Sequence, residues 1–124
     1  MKYMCLVYIE ERKLAAMSDR QLGELVNEAL DSDDRLRDSG HYVTSAALEN
    51  VQAATTVRVQ DGKRSVTDGP FAETKEQLGG FILIDARDLD EAIELAAKIP
   101  MARLGSIEIR PVQELSRRDL AAPE

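Results

Sequence analysis

The stretch Thr67-Asp68-Gly69-Pro70-Phe71-Ala72-Glu73-Thr74-Lys75-Glu76-Gln77-Leu78-Gly79-Gly80-Phe81-Ile82-Leu83-Ile84 decides how the rest of this chain is read. It opens on Asp-Gly-Pro. Glycine admits a positive φ there, proline fixes its own φ, and the aspartate side chain can hold the turn through backbone N–H groups. It closes on Phe81-Ile82-Leu83-Ile84, an unbroken apolar run that reads as a strand covered on both faces. Between the two lie Glu73, Thr74, Lys75, Glu76 and a glycine pair. A bare turn needs far less, and loops held by rigid neighbours are where sites are usually placed.

Working outward, Lys2–Ile9 is apolar on both alternating faces and reads as a second central strand. Neither strand can leave an apolar face in water, because exposed apolar area carries roughly 25 cal/mol per Å². A second subunit supplying its own sheet face is the natural cover, although a ligand or a lipid would satisfy the same argument. Ser18-x-x-Gln21 is a capping box, with Met17 and Leu22 spaced for a hydrophobic staple. Leu22, Leu25, Val26, Ala29, Leu30 and Leu36 then recur at helical spacing until Gly40, predicting one amphipathic helix of about six turns.

A strand is expected over 42–48. The alternating Thr55-Val57-Val59 should turn at Asp61-Gly62 and fold back over 63–67 as a hairpin. Asp88-Leu89-Asp90-Glu91 begins a second helix that stops before Pro100, and the last strand covers 106–112. The order is βαβ, a hairpin, then βαβ. It gives a single α+β domain over 1–115, with both helices on one face of an antiparallel sheet and a flexible tail over 116–124.

These residues also carry a resemblance. The segment around Asp68-Gly69-Pro70-Phe71 is similar to the signature of the DGPF branch of the YCII-related family of small bacterial proteins. The similarity extends from Lys2-Tyr3-Met4 through Asp90-Glu91-Ala92 to Val112. It implies a ferredoxin-like sandwich assembled as a dimeric α/β barrel, and little about activity. Related YCII enzymes are thought to use a histidine on the first helix with an aspartate as an acid–base pair. Here the corresponding helix, 19–39, has no histidine, so that pair does not carry over. Relatives of this branch are often encoded beside extracytoplasmic-function sigma factors, which implies a regulatory, non-catalytic alternative.

Composition narrows the classes further. With a net charge of −7 and scattered basic residues, the chain lacks the clustered Lys and Arg that a phosphate backbone demands. No apolar run approaches the ~20 residues of a membrane span, and no signal-peptide pattern opens the chain, so a cytoplasmic protein is expected. Cys5 is the sole cysteine, which rules out an intrachain disulfide and reads as a small hydrophobe. One His and one Cys leave no spacing for a metal, and the Gly79-Gly80 pair lacks phosphate-loop spacing, so no cofactor is expected.

What remains is a candidate site for a small organic molecule. Asp68 is the candidate general base, since a carboxylate beside an apolar face is shifted upward by desolvation. Glu73, Thr74, Lys75 and Gly79 are candidate ligand contacts, with Arg58 added if its side of the hairpin faces the pocket. His41, the only histidine, is the other candidate for proton transfer, set against a plain capping role after Gly40. Tyr3 and Tyr8 fall on opposite faces of the first strand, and one of them lines the interface or pocket. Cofactor-free acid–base catalysis, ligand binding without catalysis, and a structural dimer with an incidental cavity remain the function classes.

Overall fold

In the computed structural model, which describes residues 1–121, the first strand β1 (Lys2–Ile9) runs through the middle of a four-stranded sheet. It is followed by α1 (Glu11–Ala15), α2 (Asp19–Asp38) and β2 (Tyr42–Ala47), then by the hairpin β3 (Thr55–Gln60) and β4 (Lys63–Asp68). The chain re-enters the sheet as β5 (Gln77–Asp85) and ends with α3 (Leu89–Ala97) and β6 (Ser106–Pro111). The strand order is β2-β5-β1-β6 with every pair antiparallel, a ferredoxin-like α+β arrangement. The hairpin stands apart as its own two-stranded sheet, inserted between β2 and β5.

Local chemistry accounts for the element ends. Ser18 accepts from the Gln21 N–H at 3.1 Å while the Gln21 side chain accepts from the Ser18 N–H at 2.9 Å, so both halves of the capping box form. At the other end His41 N–H reaches the Leu36 carbonyl and Gly40 N–H the Arg37 carbonyl, a Schellman closure with Gly40 at φ 80°. Asp88 accepts from Glu91 N–H at 2.9 Å and starts α3. Asp61 and Gly62 have φ of 50° and 74°, the two-residue turn expected of Asp-Gly in a hairpin.

The core forms on one face of the sheet. Tyr3, Cys5, Ile82 and Ile84 from the strands pack with Leu36 of α2 and with Ala92 and Ala96 of α3. Directly across the strands, Met4 stands opposite Leu83 and Leu6 opposite Phe81. These half-buried residues therefore share the other face, which no helix among the described residues covers. Three details differ from the sequence reading. A short additional helix, α1, follows β1, because five residues are too few to show a period. Val26 and Leu30 are exposed on α2, whereas Ser32 is buried. The last strand stops at Pro111, one residue short of Val112, whose N–H still reaches the Lys2 carbonyl at 2.9 Å. Residues 116–121 carry no helix or strand, and the end of the expected tail lies outside the described residues.

Gly69 has φ 98°, with its N–H on the Ala54 carbonyl at 2.7 Å and its own carbonyl accepting from the Thr56 hydroxyl at 2.8 Å. Nothing lies within 4 Å of a Cβ added there, so the cost of Gly69→Ala is conformational alone. The substitution is expected to destabilise by about 1 kcal/mol or more, lowering the melting temperature by several degrees. An unchanged melt would mean that the turn relaxes into another form.

Candidate functional site: the loop after the hairpin

Loop 69–76 is fastened at both ends. Gly69 is tied to the base of the hairpin as described, and Gln77 anchors the far end. Its side-chain oxygen accepts from Glu11 N–H at 2.8 Å, and its amide donates to the Thr74 carbonyl at 2.6 Å. The Thr74 hydroxyl donates to the Glu76 carbonyl, and the Glu76 carboxylate accepts from the Ser106 hydroxyl at 2.7 Å. Glu11 in turn accepts from Val51 N–H at 3.0 Å, which fixes connection 48–52 beside the loop. Of the polar groups that drew attention in the sequence, Thr74 and Glu76 are thus spent on holding a shape.

That shape is concave. Gly69, Pro70, Ala72, Glu73, Thr74 and Gln77 face Val51 and Gln52 across a cavity of about 390 Å³. Val51 and Gln52 also line a larger groove of about 720 Å³, which runs under α1 past Glu11 and Arg12 to Ile9 and Gly79. On the other side of the loop, Phe71, Thr74, Leu78 and Tyr8 border a further hollow of about 550 Å³. Val51 lines all three.

The sequence-nominated residues do not gather at one point. Glu73 and Thr74 line the loop cavity, and Gly79 lines the adjoining groove. Asp68 is exposed at the end of β4, paired with Thr55, and is not in the lining of these cavities. Lys75 is exposed on the loop. Arg58 lies farther along the hairpin, in a shallow hollow with Asp61, Lys63 and Arg64. Sequence reasoning missed Glu11, Arg12, Val51 and Gln52. No motif marks them, and only the fold brings 11–12 and 51–52 to the loop. Tyr3 belongs to the core, whereas Tyr8 is on the uncovered face with its hydroxyl 3.3 Å from Glu108. Burial and then the Glu108 carboxylate push the Tyr8 phenol upward. Cys5 is fully buried and its thiol is pushed up to about 11, which leaves it unreactive.

His41 sits elsewhere, in a cluster that joins two helix ends. Its Nε2 is 3.1 Å from Glu91 Oε1 and its Nδ1 is 2.7 Å from Ser39 Oγ, while the Ser39 hydroxyl also lies 3.1 Å from the Leu36 carbonyl. With both ring nitrogens protonated, every partner is satisfied at once. With only Nε2 protonated, the single Ser39 proton must choose between Nδ1 and Leu36. No residue of this cluster lines the loop cavities. The Glu91 carboxyl is held below its ordinary value, first by the Arg87 N–H at 3.0 Å, then by the Arg87 guanidinium, then by His41. A folded-state value below the unfolded one stabilises the fold above the ordinary carboxylate range. That contribution is lost as pH falls through the folded value. Thermal melts over roughly pH 3 to 7 are expected to show an acid limb that flattens in Glu91→Gln. An identical limb in the variant would assign acid sensitivity to other groups.

Among the described residues, no three His, Cys, Asp or Glu side chains gather as a metal-binding group, and no helix is long and apolar enough to cross a membrane. Against known families, residues 1–116 match the YCII-related domain. An uncharacterized protein of Rhizobium meliloti (strain 1021) is 38% identical over 114 residues, spanning 90% of this chain and 92% of that protein.

Proposed function

The chain belongs to the YCII-related family, and from that premise we propose that it is a homodimer that binds a small organic molecule in the cleft walled by loop 69–76. The observation that carries this reading is the cavity of about 390 Å³ lined by Val51 and Gln52, which also line the groove under α1. A site of this size, with apolar walls and a few fixed polar groups, fits a small ligand. The loop is preorganised, because Thr74, Glu76 and Gln77 are already committed to protein partners. Glu73 is the carboxylate left to meet the ligand, and cofactor-free proton transfer at Glu73 is the catalytic form of the same proposal.

A thermal-shift screen of small organic acids, alcohols, aldehydes and amides tests it. A ligand at about a hundred times its Kd stabilises by about 2.7 kcal/mol, a shift of several degrees. Glu73→Gln is expected to keep the fold and lose most of that shift. Asp68→Asn sorts the role of Asp68 in the same assay. Loss of the ligand shift at an unchanged melting temperature assigns its carboxylate to the ligand, whereas a lower melting temperature with the shift intact assigns it to the turn. A screen without any stabilising compound, or shifts that survive Glu73→Gln, would remove the loop cleft as the site.

A further inference from the structure

A separate hollow of about 350 Å³ lies between α2 and the edge strand β2. Its helical wall is the stripe Val26, Ala29, Leu30 and Asp33, at the i, i+3, i+4, i+7 spacing that places residues on one face. Val26 and Leu30 are each 56% exposed, because the sheet beneath them is too thin to fill the space. One rung of that sheet is Val7, Gly80 and Ala47. Gly80 has no side chain and cannot gain one, since a Cβ there would lie 2.7 Å from the Ala46 carbonyl oxygen. The hollow is therefore built into the backbone.

One end of the slot is polar. Asp33 Oδ2 accepts from the Ser45 hydroxyl at 3.2 Å, and Ser45 Oγ is 2.6 Å from the Tyr42 hydroxyl. Arg37, one turn along the helix, is taken up by Asp34 at 2.9 Å and lies over the Tyr42 ring at 4.1 Å. Among the described residues, Asp33 thus has hydroxyl company and no ion-pair partner. Glu73 and Thr74 do not line this slot, although it backs on to the larger groove through Val7 and Gly79.

We propose that the slot is a second binding site, for a small apolar molecule carrying a cationic amino group. The hydrocarbon lies on Val26, Leu30 and Ala47, and the ammonium pairs with the Asp33 carboxylate. An anionic head is repelled there by Asp33 and by the chain's net charge of −7. A neutral hydroxyl makes the weaker, uncharged bond.

The test is an amide NMR titration of the full chain with three probes of one shape: cyclohexylamine, cyclohexanol and cyclohexanecarboxylate. The amine is expected to bind tightest and to move the Ala29, Leu30, Ala47 and Gly80 amides. Asp33→Asn should weaken the amine on the order of tenfold or more while leaving the alcohol unchanged. Ala29→Leu, which fills the slot, should abolish binding of all three. If that variant fails to fold, Val26→Ser on the exposed rim should weaken the amine and the alcohol alike. Equal affinity for the three heads, a preference for the carboxylate, or no movement of these amides would overturn the proposal. Glu73→Gln is expected to leave the titration unaltered, so a failed loop cleft and a failed slot give different results.

Discussion

Gly105→Ala is expected to destabilise the protein by about 3 kcal/mol or more, at the upper end of what overpacking costs, and to lower its melting temperature by roughly 10 °C or more. Gly105 joins the 3₁₀ turn Pro100–Arg103 to β6, with its N–H on the Met101 carbonyl at 2.8 Å. A Cβ there would overlap the Tyr8 carbonyl oxygen and come within 3.0 Å of Ile9 Cα. Both obstacles are backbone. They belong to β1, the strand held between β5 and β6, and Tyr8 is itself the partner of Ser106. No side chain can swing aside, so either the start of β6 leaves its register or the central strand bends. Gly79→Ala is the natural control. Its Cβ would meet Ile9 Cγ2 at 3.6 Å, an ordinary contact, and should cost little. Urea unfolding of both variants separates the cases. Equal midpoints would show that the turn before β6 has room to move.

What could be read from the sequence was chemistry that acts over a few residues. The Ser18–Gln21 box, the Asp61-Gly62 turn and the Asp88 cap each depend on neighbours within one turn of chain, and each forms as its residues dictate. The two-sided apolarity of β1 and β5 was legible for the same reason. Which face the helices take was not, since a period of two is symmetric between faces. Tyr3 and Tyr8 could therefore be told apart only once the fold was seen. Val26 and Leu30 fit the helical period, yet Gly80 and Ala47 leave them nothing to press against. That shortage of volume arises from strands some fifty residues away in the case of Gly80, beyond any local pattern.

The site divides along the same line. The loop's own residues announced it, and its opposing wall did not. Glu11 and Val51 meet only because β1 and β2 end on the same side of the molecule. His41 and Glu91 are likewise 50 positions apart and touch only because α2 ends where α3 begins. Asp68 looked like part of the loop by adjacency, but strand pairing with Thr55 makes it the last residue of the hairpin.

Leu83→Glu is expected to convert the proposed homodimer into a folded monomer. Leu83 lies opposite Met4 on the sheet face that no helix among the described residues covers, with the Leu6–Phe81 pair beside it, whereas Ile82 and Ile84 point into the core. A contiguous apolar surface on the centre of a sheet favours a second sheet face over water. In a two-fold assembly every residue acts twice, so one substitution places two carboxylates in the interface, where they also repel each other. At about 2 kcal/mol or more for each desolvated charge, the dissociation constant rises by about a thousandfold or more. Because the side chain points away from the helices, the variant should retain wild-type circular dichroism. Ile84→Glu, at a position only 1% exposed, should unfold the chain instead. Sedimentation velocity at micromolar concentration reads both. A wild-type monomer would end the dimer proposal at once, and a dimeric Leu83→Glu would move the interface to another face.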